Sequence, residues 1–245
     1  RINLFENASY SILEKNIERS AIRNLLAEKA VYKNLLFLDA DTMPVYDNFI
    51  AKYIATIKNN IVFGGLLYEK KKPSREQLLR WIYGKEREAL SLSERNKNPS
   101  NTALVSNLLI KKEILLRFPF DENLTKYGYE DLLFFAVLKS NEIEIKHIQN
   151  PVFHLNLENS NLFLSKTKTA LENLFFLSSS NKVSKNESKI IDSFELLKKL
   201  KLSSFFYFIF KKSERKIELN LLSDKPSLFL FDIYKLGYYC FLKTK

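Results

Sequence analysis

The amino-acid sequence predicts an α/β domain followed by a basic, aromatic helical extension. Short apolar runs alternate with helical segments through residue 155, as they do in a sheet covered by helices. A polar stretch at 178–188, SSSNKVSKNES, then separates this region from a tail of different composition. We therefore expect a domain over residues 1–178 and a linker with a helical extension over residues 179–245.

The first elements follow from the spacing of apolar residues. Residues 16–30 place them near helical spacing among good helix formers, which predicts a helix that feeds a strand at Leu35–Leu38. The continuity of that strand is typical of one covered on both faces, as in a parallel sheet. Pro44 is expected to start the next helix, because proline is favoured at a first helical position.

Ile61–Tyr68, IVFGGLLY, is the next predicted strand. Its paired glycines, Gly64 and Gly65, weaken a strand interior and mark a bulge or a place where another group approaches the backbone closely. Beyond it the pattern predicts helices at 74–90, 131–138 and 162–177, and strands at 102–110 and 142–148.

The tail is basic and rich in aromatic residues. The whole chain has 245 residues and a net charge of +11, and residues 183–245 hold 13 Lys and Arg against 7 Asp and Glu. Its apolar stretches, at 190–200, 204–212 and 228–242, are too short to span a bilayer, which takes about 20 residues. They fit either an amphipathic anchor on an anionic membrane surface or helices packed on the domain.

Composition also bears on cellular location. The 46% hydrophobic and 27% charged content is typical of a globular protein. The single cysteine, Cys240, excludes an internal disulfide framework, fits a reducing compartment and is expected to be buried. The chain begins at Arg1 without a Met, a signal peptide or an apolar run long enough to span a bilayer, so we expect a trimmed or partial chain. We expect it to be cytoplasmic, or peripheral at the inner face of the membrane.

Two carboxylates, Asp39 and Asp41, follow the first predicted strand in the stretch NLLFLDADTMP. Ligands of open α/β sheets bind outside the carboxyl ends of the strands, and hard oxygen donors suit Mg²⁺ or Mn²⁺ carrying a phosphate. The pair therefore predicts a metal site. The alternative is that Asp-Ala-Asp-Thr caps the next helix, since Asp and Thr are good N-cap residues.

A second acidic pair, Glu130 and Asp131, stands about 90 residues downstream in the stretch GYED. It opens a predicted helix, where the helix dipole favours carboxylates whatever their function. His154, in PVFHL, follows. Neutral imidazole is a metal ligand, so His154 is a candidate for the metal site. The alternative is a histidine whose ring forms hydrogen bonds only within the protein.

The order and spacing of these motifs resemble the family 2 glycosyltransferases, over roughly residues 15–178. The match extends to RN, which is Arg23 and Asn24, and to SN, which is Ser106 and Asn107. The resemblance implies the GT-A fold, with a mixed central sheet flanked by helices. It also implies inverting, non-processive transfer of a sugar from a nucleotide-sugar donor, expected to be a UDP-sugar, to a glycan or lipid-linked acceptor.

Roles for individual residues come from that resemblance. It implies that Mn²⁺ or Mg²⁺, held by Asp41, Asp39 and His154, neutralises the charge that develops on the leaving diphosphate. Asp131 would accept the proton of the acceptor hydroxyl, with Glu130 orienting the acceptor. The residues implied to bind the donor are Asp39, Asp41, Arg23, Asn24, Gly65 and Asn107.

Two features depart from that family. Its first strand and loop, of the SVIIPVYN type, grip the nucleotide base, and this sequence has no such segment. Gln77, Arg80 and Trp81 spell the QxxRW motif of processive members, but here the motif precedes the second acidic pair instead of following it. We interpret it as chance, with Trp81 in the core or near the acceptor.

Two other function classes stay open. One is a non-catalytic basic module whose tail binds anionic lipid or nucleic acid, since a basic surplus attracts phosphate in any form. Nucleic acid is not expected as a partner, because no recognised binding motif is present. The other is a nucleotidyltransferase, which can present an acidic pair on a related sheet.

Overall fold

Helices and short strands alternate along the chain, and more than half of the residues are helical. The computed structural model describes residues 6–244, except for the side chains of Lys185 and Thr244. The helices are α1 (Glu18–Lys29), α2 (Phe49–Ile54), α3 (Leu78–Tyr83), α4 (Leu92–Arg95), α5 (Pro99–Thr102), α6 (Lys112–Arg117), α7 (Glu130–Ser140), α8 (Ser160–Ser179), α9 (Lys189–Lys199), α10 (Ser203–Leu221) and α11 (Leu228–Thr244). The strands are β1 (Asn34–Leu38), β2 (Thr42–Pro44), β3 (Ile61–Phe63), β4 (Leu66–Leu67), β5 (Asn107–Lys111), β6 (Ile145–His147) and β7 (Val152–His154).

The strands form two small mixed sheets, which confirms the predicted mixed α/β class. A four-stranded sheet has the order β1-β5-β3-β6, and a three-stranded sheet has the order β2-β7-β4. In the larger sheet β5 is antiparallel to both β1 and β3, whereas β3 is parallel to β6. Where one central sheet was expected, the chain therefore divides its strands between two.

The central strands of the larger sheet are covered on both faces. Ile61 and Phe63 of β3 pack in one cluster with Phe135 of α7, and Val62 packs in another with Phe49 of α2. This alternation follows from the two-residue period of a strand. Full burial of each such side chain contributes roughly 1.5–3 kcal/mol to the free energy of unfolding.

Strand β1 departs from its prediction. Within residues 6–244 it lies at an edge of the sheet and pairs only with β5, in an antiparallel direction. Leu35 is buried, but Leu38 is 42% exposed, so the expected parallel environment with cover on both faces is wrong. A run of four apolar residues fits an edge strand as well as a central one, because its pattern carries no information about pairing partners.

Proline 44 ends a strand instead of starting a helix. It is the last residue of β2 and lies opposite Val152 of β7, and helix α2 begins only at Phe49. The predicted helix start at Pro44 is therefore wrong. Proline lacks a backbone N–H and restricts the residue before it to extended conformations, and both properties are compatible with an edge strand such as β2.

The predicted strand over Ile61–Tyr68 is broken at its two glycines into β3 and β4, which belong to different sheets. Gly65 has a φ of +100°, and a Cβ added to it would lie 2.9 Å from Nη2 of Arg95. A Cβ on Gly64 would lie 2.4 Å from each of three polar groups of the protein. The predicted close approach to this backbone is confirmed, and the approaching groups belong to the chain itself.

Two longer predicted elements are also interrupted. The expected helix over 74–90 consists of a 3₁₀ turn at Arg75–Gln77, helix α3 and a π-helical segment at Gly84–Glu88. The expected strand over 102–110 begins only at Asn107, after helix α5. The helices expected at 131–138 and 162–177 are confirmed, with bounds a few residues wider.

The C-terminal helices share their core with the preceding part of the chain. Phe194 of α9 and Tyr239 of α11 cluster with Leu174 of α8, and the expected burial of Cys240 in the same cluster is confirmed. A second cluster joins α10 and α11 to Leu79 of α3. Packing, one of the two alternatives for the tail, is therefore observed. Among the described residues, no helix combines the length and apolar character needed to cross a membrane.

Candidate functional site

The first acidic motif forms a tight turn between β1 and β2. The backbone N–H and the side-chain hydroxyl of Thr42 both donate to the carbonyl of Asp39, at 3.1 and 2.7 Å. Asp39 and Asp41 thus follow the carboxyl end of β1, as predicted. Thr42 enters a strand, and the next helix has Asn48 as its N-cap, so the interpretation of this motif as a helix cap is wrong.

The second acidic motif opens α7, as predicted. Oδ1 of Asp131 accepts a hydrogen bond from Nη1 of Arg23 at 2.6 Å, and Oδ2 accepts one from the backbone N–H of Val105 at 3.2 Å. Glu130 is 7% exposed, with Oε1 at 3.4 Å from Nη1 of Arg19 and 3.8 Å from Nη1 of Arg23. Helix α1 therefore supplies two guanidinium groups to two carboxylates.

Two consecutive residues, Val105 and Ser106, join the acidic motifs to each other. The backbone N–H of Val105 donates to Asp131, and the carbonyl of Ser106 accepts the backbone N–H of Asp39 at 3.3 Å. Motifs that are far apart in sequence are thereby neighbours in space. The segment that leads into β5 makes this connection, and Ser106 is the first residue of the SN dipeptide of the resemblance.

The electrostatics of Asp39 reflect this proximity. Burial raises the pKa of Asp39 above its ordinary value, while Arg23 and Arg19 lower it and the charges of Asp131 and Asp41 raise it further. Burial also raises the pKa of Glu130, and the neighbouring Asp131 adds to the effect. The two acidic pairs and the two arginines therefore form one interacting cluster.

His154 lies beside Asp41 because β7 pairs with β2, which places His154 opposite Thr42. Its Nε2 is 3.6 Å from Oδ2 of Asp41, and its ring stacks on Tyr68 with centroids 5.4 Å apart. Burial lowers the pKa of His154, Arg80 lowers it further, and Asp41 opposes them. The structure thus brings together the predicted ligands Asp41 and His154.

The donor set suits a divalent ion that accepts both carboxylate and imidazole. Mn²⁺ tolerates imidazole better than Mg²⁺ does, so Asp41 and His154 fit Mn²⁺ better. Within residues 6–244, no three His, Cys, Asp or Glu side chains form a group that could hold a metal, so Asp39 does not complete such a set. Water and phosphate oxygens would fill the remaining coordination positions.

Asn24, predicted to bind the donor, is buried and bonds within the protein. Its Nδ2 donates to the carbonyl of Phe120 at 2.9 Å and to Oε1 of Glu122 at 2.8 Å, and its Oδ1 accepts the N–H of Phe120 at 3.0 Å. These bonds fix the loop that precedes α7. In this arrangement Asn24 contributes to the site by positioning, and its predicted contact with a donor stays a prediction.

Asn107 has a similar place beside the two glycines. It is fully buried, its Oδ1 accepts the hydroxyl of Tyr53 at 2.6 Å, and its Nδ2 donates to the carbonyls of Gly65 and Asn150 at 2.8 and 3.0 Å. The buried guanidinium of Arg95 covers Gly65 from the other direction. The predicted donor contacts of Asn107 and Gly65 stay predictions, while their visible role is to connect the two sheets.

The residues of the QxxRW sequence also bond within the protein. Nε2 of Gln77 donates to the carbonyl of Leu157 at 2.5 Å, and Nε1 of Trp81 donates to the carbonyl of Glu69 at 2.9 Å. Arg80 is buried and forms an ion pair with Glu88 at 3.0 Å. These bonds are structural, which is compatible with a chance occurrence of the motif.

Sequence reasoning missed three members of the cluster and its surroundings. Arg19 precedes Arg23 by four residues, so helical spacing was a signal that both lie on one face of α1. Tyr68 and Glu88 gave no such signal. Their hydroxyl–carboxylate hydrogen bond, which Arg80 also joins, depends on the packing of the π-helical segment at Gly84–Glu88 against β4 and Tyr68.

Two cavities border residues of this site. One, of about 350 Å³, is lined by Glu130, Arg19, Tyr127 and Lys166 among others. The other, of about 540 Å³, is lined by His154, Trp81 and the exposed Lys71 and Lys72, among others. Glu130 and His154 therefore each border an opening that is also lined by cations.

No protein-family model matches the chain, and no curated protein has significant similarity to it.

Proposed function

We propose that this chain is a metal-dependent, inverting glycosyltransferase of the family 2 type, with a GT-A-like fold. It transfers a sugar from a nucleotide-sugar donor to a glycan or lipid-linked acceptor. The observation that supports the proposal is the junction at Val105 and Ser106, which joins the Asp39 turn to Asp131. A sugar-transfer site needs groups for the leaving diphosphate and for the attacking hydroxyl within one sugar ring of each other.

The diphosphate side is formed by Asp41 and His154. A divalent ion bound there would neutralise the negative charge that develops on the leaving diphosphate. Asp41 has 39% of its side chain exposed, so a ligand reaches it without unfolding the turn. Lys71 and Lys72 border the adjoining cavity and attract phosphate oxygens.

The acceptor side is formed by Asp131 and Glu130. The carboxylate of Asp131 uses one lone pair on each oxygen for Arg23 and Val105, and a carboxylate has about four such sites, so it keeps capacity to accept the hydroxyl proton. Glu130 borders the 350 Å³ cavity and would orient the acceptor there. Arg23 holds both carboxylates in place.

The first test separates binding from transfer. Calorimetric titration of the chain with UDP in the presence and absence of Mn²⁺ measures the diphosphate side, and release of UDP from a panel of UDP-sugars measures chemistry. Asp41→Asn is expected to weaken Mn²⁺-dependent UDP binding about tenfold or more. Loss of a residue that only supports a metal ligand already weakens metal binding about tenfold, and Asp41 is itself a proposed ligand. Asp131→Asn is expected to keep binding but to slow UDP release about a hundredfold.

Asp47→Asn is the matched control, because it removes an exposed carboxylate six residues from Asp41. It is expected to leave both measurements unchanged. Wild-type binding and turnover in both Asp41→Asn and Asp131→Asn would overturn the site assignment. Release of pyrophosphate from a nucleoside triphosphate and a sugar phosphate, without UDP release, would assign the site to nucleotidyl transfer instead.

A further inference from the structure

The junction of α9 and α10 exposes several large apolar side chains. Six large apolar side chains within fourteen residues are between 43% and 61% exposed, and they are Leu196, Leu200, Leu202, Phe205, Phe208 and Ile209. Phe205, Phe208 and Ile209 share one face of α10, because residues three and four apart are neighbours on a helix. We call this set the 196–209 surface.

The opposite face of α10 is packed. Phe210, Ile217 and Leu221 are buried in a cluster with Leu164 of α8 and Phe231 of α11. The helix therefore has an apolar face inward and a second apolar face outward. Packing of the tail and binding by the tail, which the sequence presents as alternatives, are compatible in this arrangement.

Lysines predominate around the surface, which is flanked by Glu195 and Glu214. Residues 196–213 contain five lysines and no acidic residue. Lys211 pairs with Glu214 at 3.0 Å, and Nζ of Lys212 lies 4.3 Å from the ring centre of Phe208. Lys198, Lys199 and Lys201 are exposed and form no ion pair within residues 6–244. An exposed lysine can lay its aliphatic stem along an apolar surface while its ammonium group stays in water.

We propose that the 196–209 surface binds the surface of a lipid bilayer that contains anionic lipids, with α10 lying in the plane of the interface. Apolar side chains enter the boundary between headgroups and acyl chains, and the lysines contact lipid phosphates. A second copy of the chain fits less well, since two such surfaces face to face would bring ten lysines together, five from each copy. The proposal does not depend on glycosyl transfer.

Co-sedimentation with vesicles tests the proposal on the full chain. Vesicles of equal parts phosphatidylglycerol and phosphatidylcholine are expected to bind the protein, and vesicles of phosphatidylcholine alone are not. Phe205→Ala with Phe208→Ala is expected to weaken binding about tenfold or more, because two large apolar groups no longer enter the interface. Lys199→Gln with Lys201→Gln is expected to weaken it about fivefold per lysine.

Matched variants control for exposed apolar area and for net charge. Ile50→Ala with Ile54→Ala removes exposed apolar groups from α2, and Lys33→Gln with Lys97→Gln removes two exposed charges elsewhere. Both are expected to bind like the wild type. Circular dichroism and thermal unfolding establish that every variant is folded, so a loss of binding is not a loss of structure.

Four outcomes would overturn the proposal. They are absence of binding to the anionic vesicles, equal losses in the surface variants and their controls, and a dimer in sedimentation velocity that the two phenylalanine substitutions dissociate. The fourth is tight binding of an oligonucleotide that the lysine substitutions abolish and the phenylalanine substitutions leave intact, which would assign the lysines to nucleic acid.

Discussion

The two acidic pairs of this protein are neighbours, but the fold holds them in different ways. Asp131 has 24% of its side chain exposed and bonds to the buried guanidinium of Arg23 at 2.6 Å. Asp41 is 39% exposed, and its ionisable partner among the described residues is the imidazole of His154, at 3.6 Å. That separation is too long for a strong hydrogen bond. One carboxylate is fixed by the folded chain, while the other is left open to a ligand.

This difference separates groups that stabilise the fold from groups that are available to bind a ligand. Groups fixed by buried ion pairs keep their geometry before any ligand arrives, and their removal leaves an unpaired charge in a poorly solvated place. A carboxylate at an open turn contributes little to the free energy of unfolding and keeps its lone pairs for a ligand. Substitutions in the two pairs should therefore be distinguishable by unfolding alone.

The largest effect on stability is expected from Arg23→Met. Arg23 is 8% exposed and serves both Glu130 and Asp131, so its removal is expected to cost about 3 kcal/mol in the free energy of unfolding, measured in urea. The loss should be smaller in acid, because the uncompensated carboxylates then take up protons in the folded state.

Arg19→Met is the matched control for that measurement, because its side chain is 51% exposed and touches only one of the same carboxylates. It is expected to cost less than about 1 kcal/mol. Equal losses in the two arginine variants would show that burial of the pair is unimportant, and the comparison of the two acidic motifs would fail.

Opposite effects are expected for the adjacent carboxylates. Asp131→Asn is expected to cost about 2 kcal/mol, because the charged hydrogen bond to buried Arg23 is lost. Glu130→Gln is expected to be at least as stable as the wild type at neutral pH, because burial and Asp131 raise the pKa of Glu130 in the folded state. The environment of Glu130 therefore favours its neutral form.

The raised pKa of Glu130 also predicts how the free energy of unfolding depends on pH. A carboxyl group with a raised folded-state pKa contributes stability that is present below its unfolded pKa of 4.5 and lost as the pH rises through the folded value. Glu130→Gln should flatten this part of the profile of unfolding free energy against pH. If the unfolding free energy of Glu130→Gln depended on pH as steeply as that of the wild type, Glu130 would not have the raised pKa. If Asp131→Asn were more stable than the wild type, the bond of Asp131 to Arg23 would not be stabilising.

The sequence predicted the parts of this site that depend on local order. Both acidic motifs lie where apolar periodicity placed them, at the end of β1 and the start of α7. The sequence did not predict which residues from distant parts of the chain form hydrogen bonds with each other. The bonds of Asn24 and Asn107 depend on packing between distant elements, and a residue type alone does not distinguish a donor contact from a bond to a nearby carbonyl.

The same limit explains the errors in the fold. Pro44 and the strand beginning at Ile61 were interpreted from single-segment patterns, but which sheet each strand joins is decided by tertiary pairing. The glycines were the informative exception. A Gly-Gly pair inside an apolar run pointed to close backbone approach, and the structure places Asn107, Tyr53 and Arg95 there.

The smallest effect on stability is expected at Asp41. Asp41→Asn should change the free energy of unfolding by less than about 0.5 kcal/mol without metal, because its side chain lies at an open turn and its contact with His154 is long. Mn²⁺ should stabilise the wild type and the Asp47→Asn control but not Asp41→Asn, since a ligand that binds only the folded state raises its stability. A loss above 1 kcal/mol that is the same with and without Mn²⁺ would instead make Asp41 a structural anchor for His154. Asp41 would then be as fixed by the fold as Asp131.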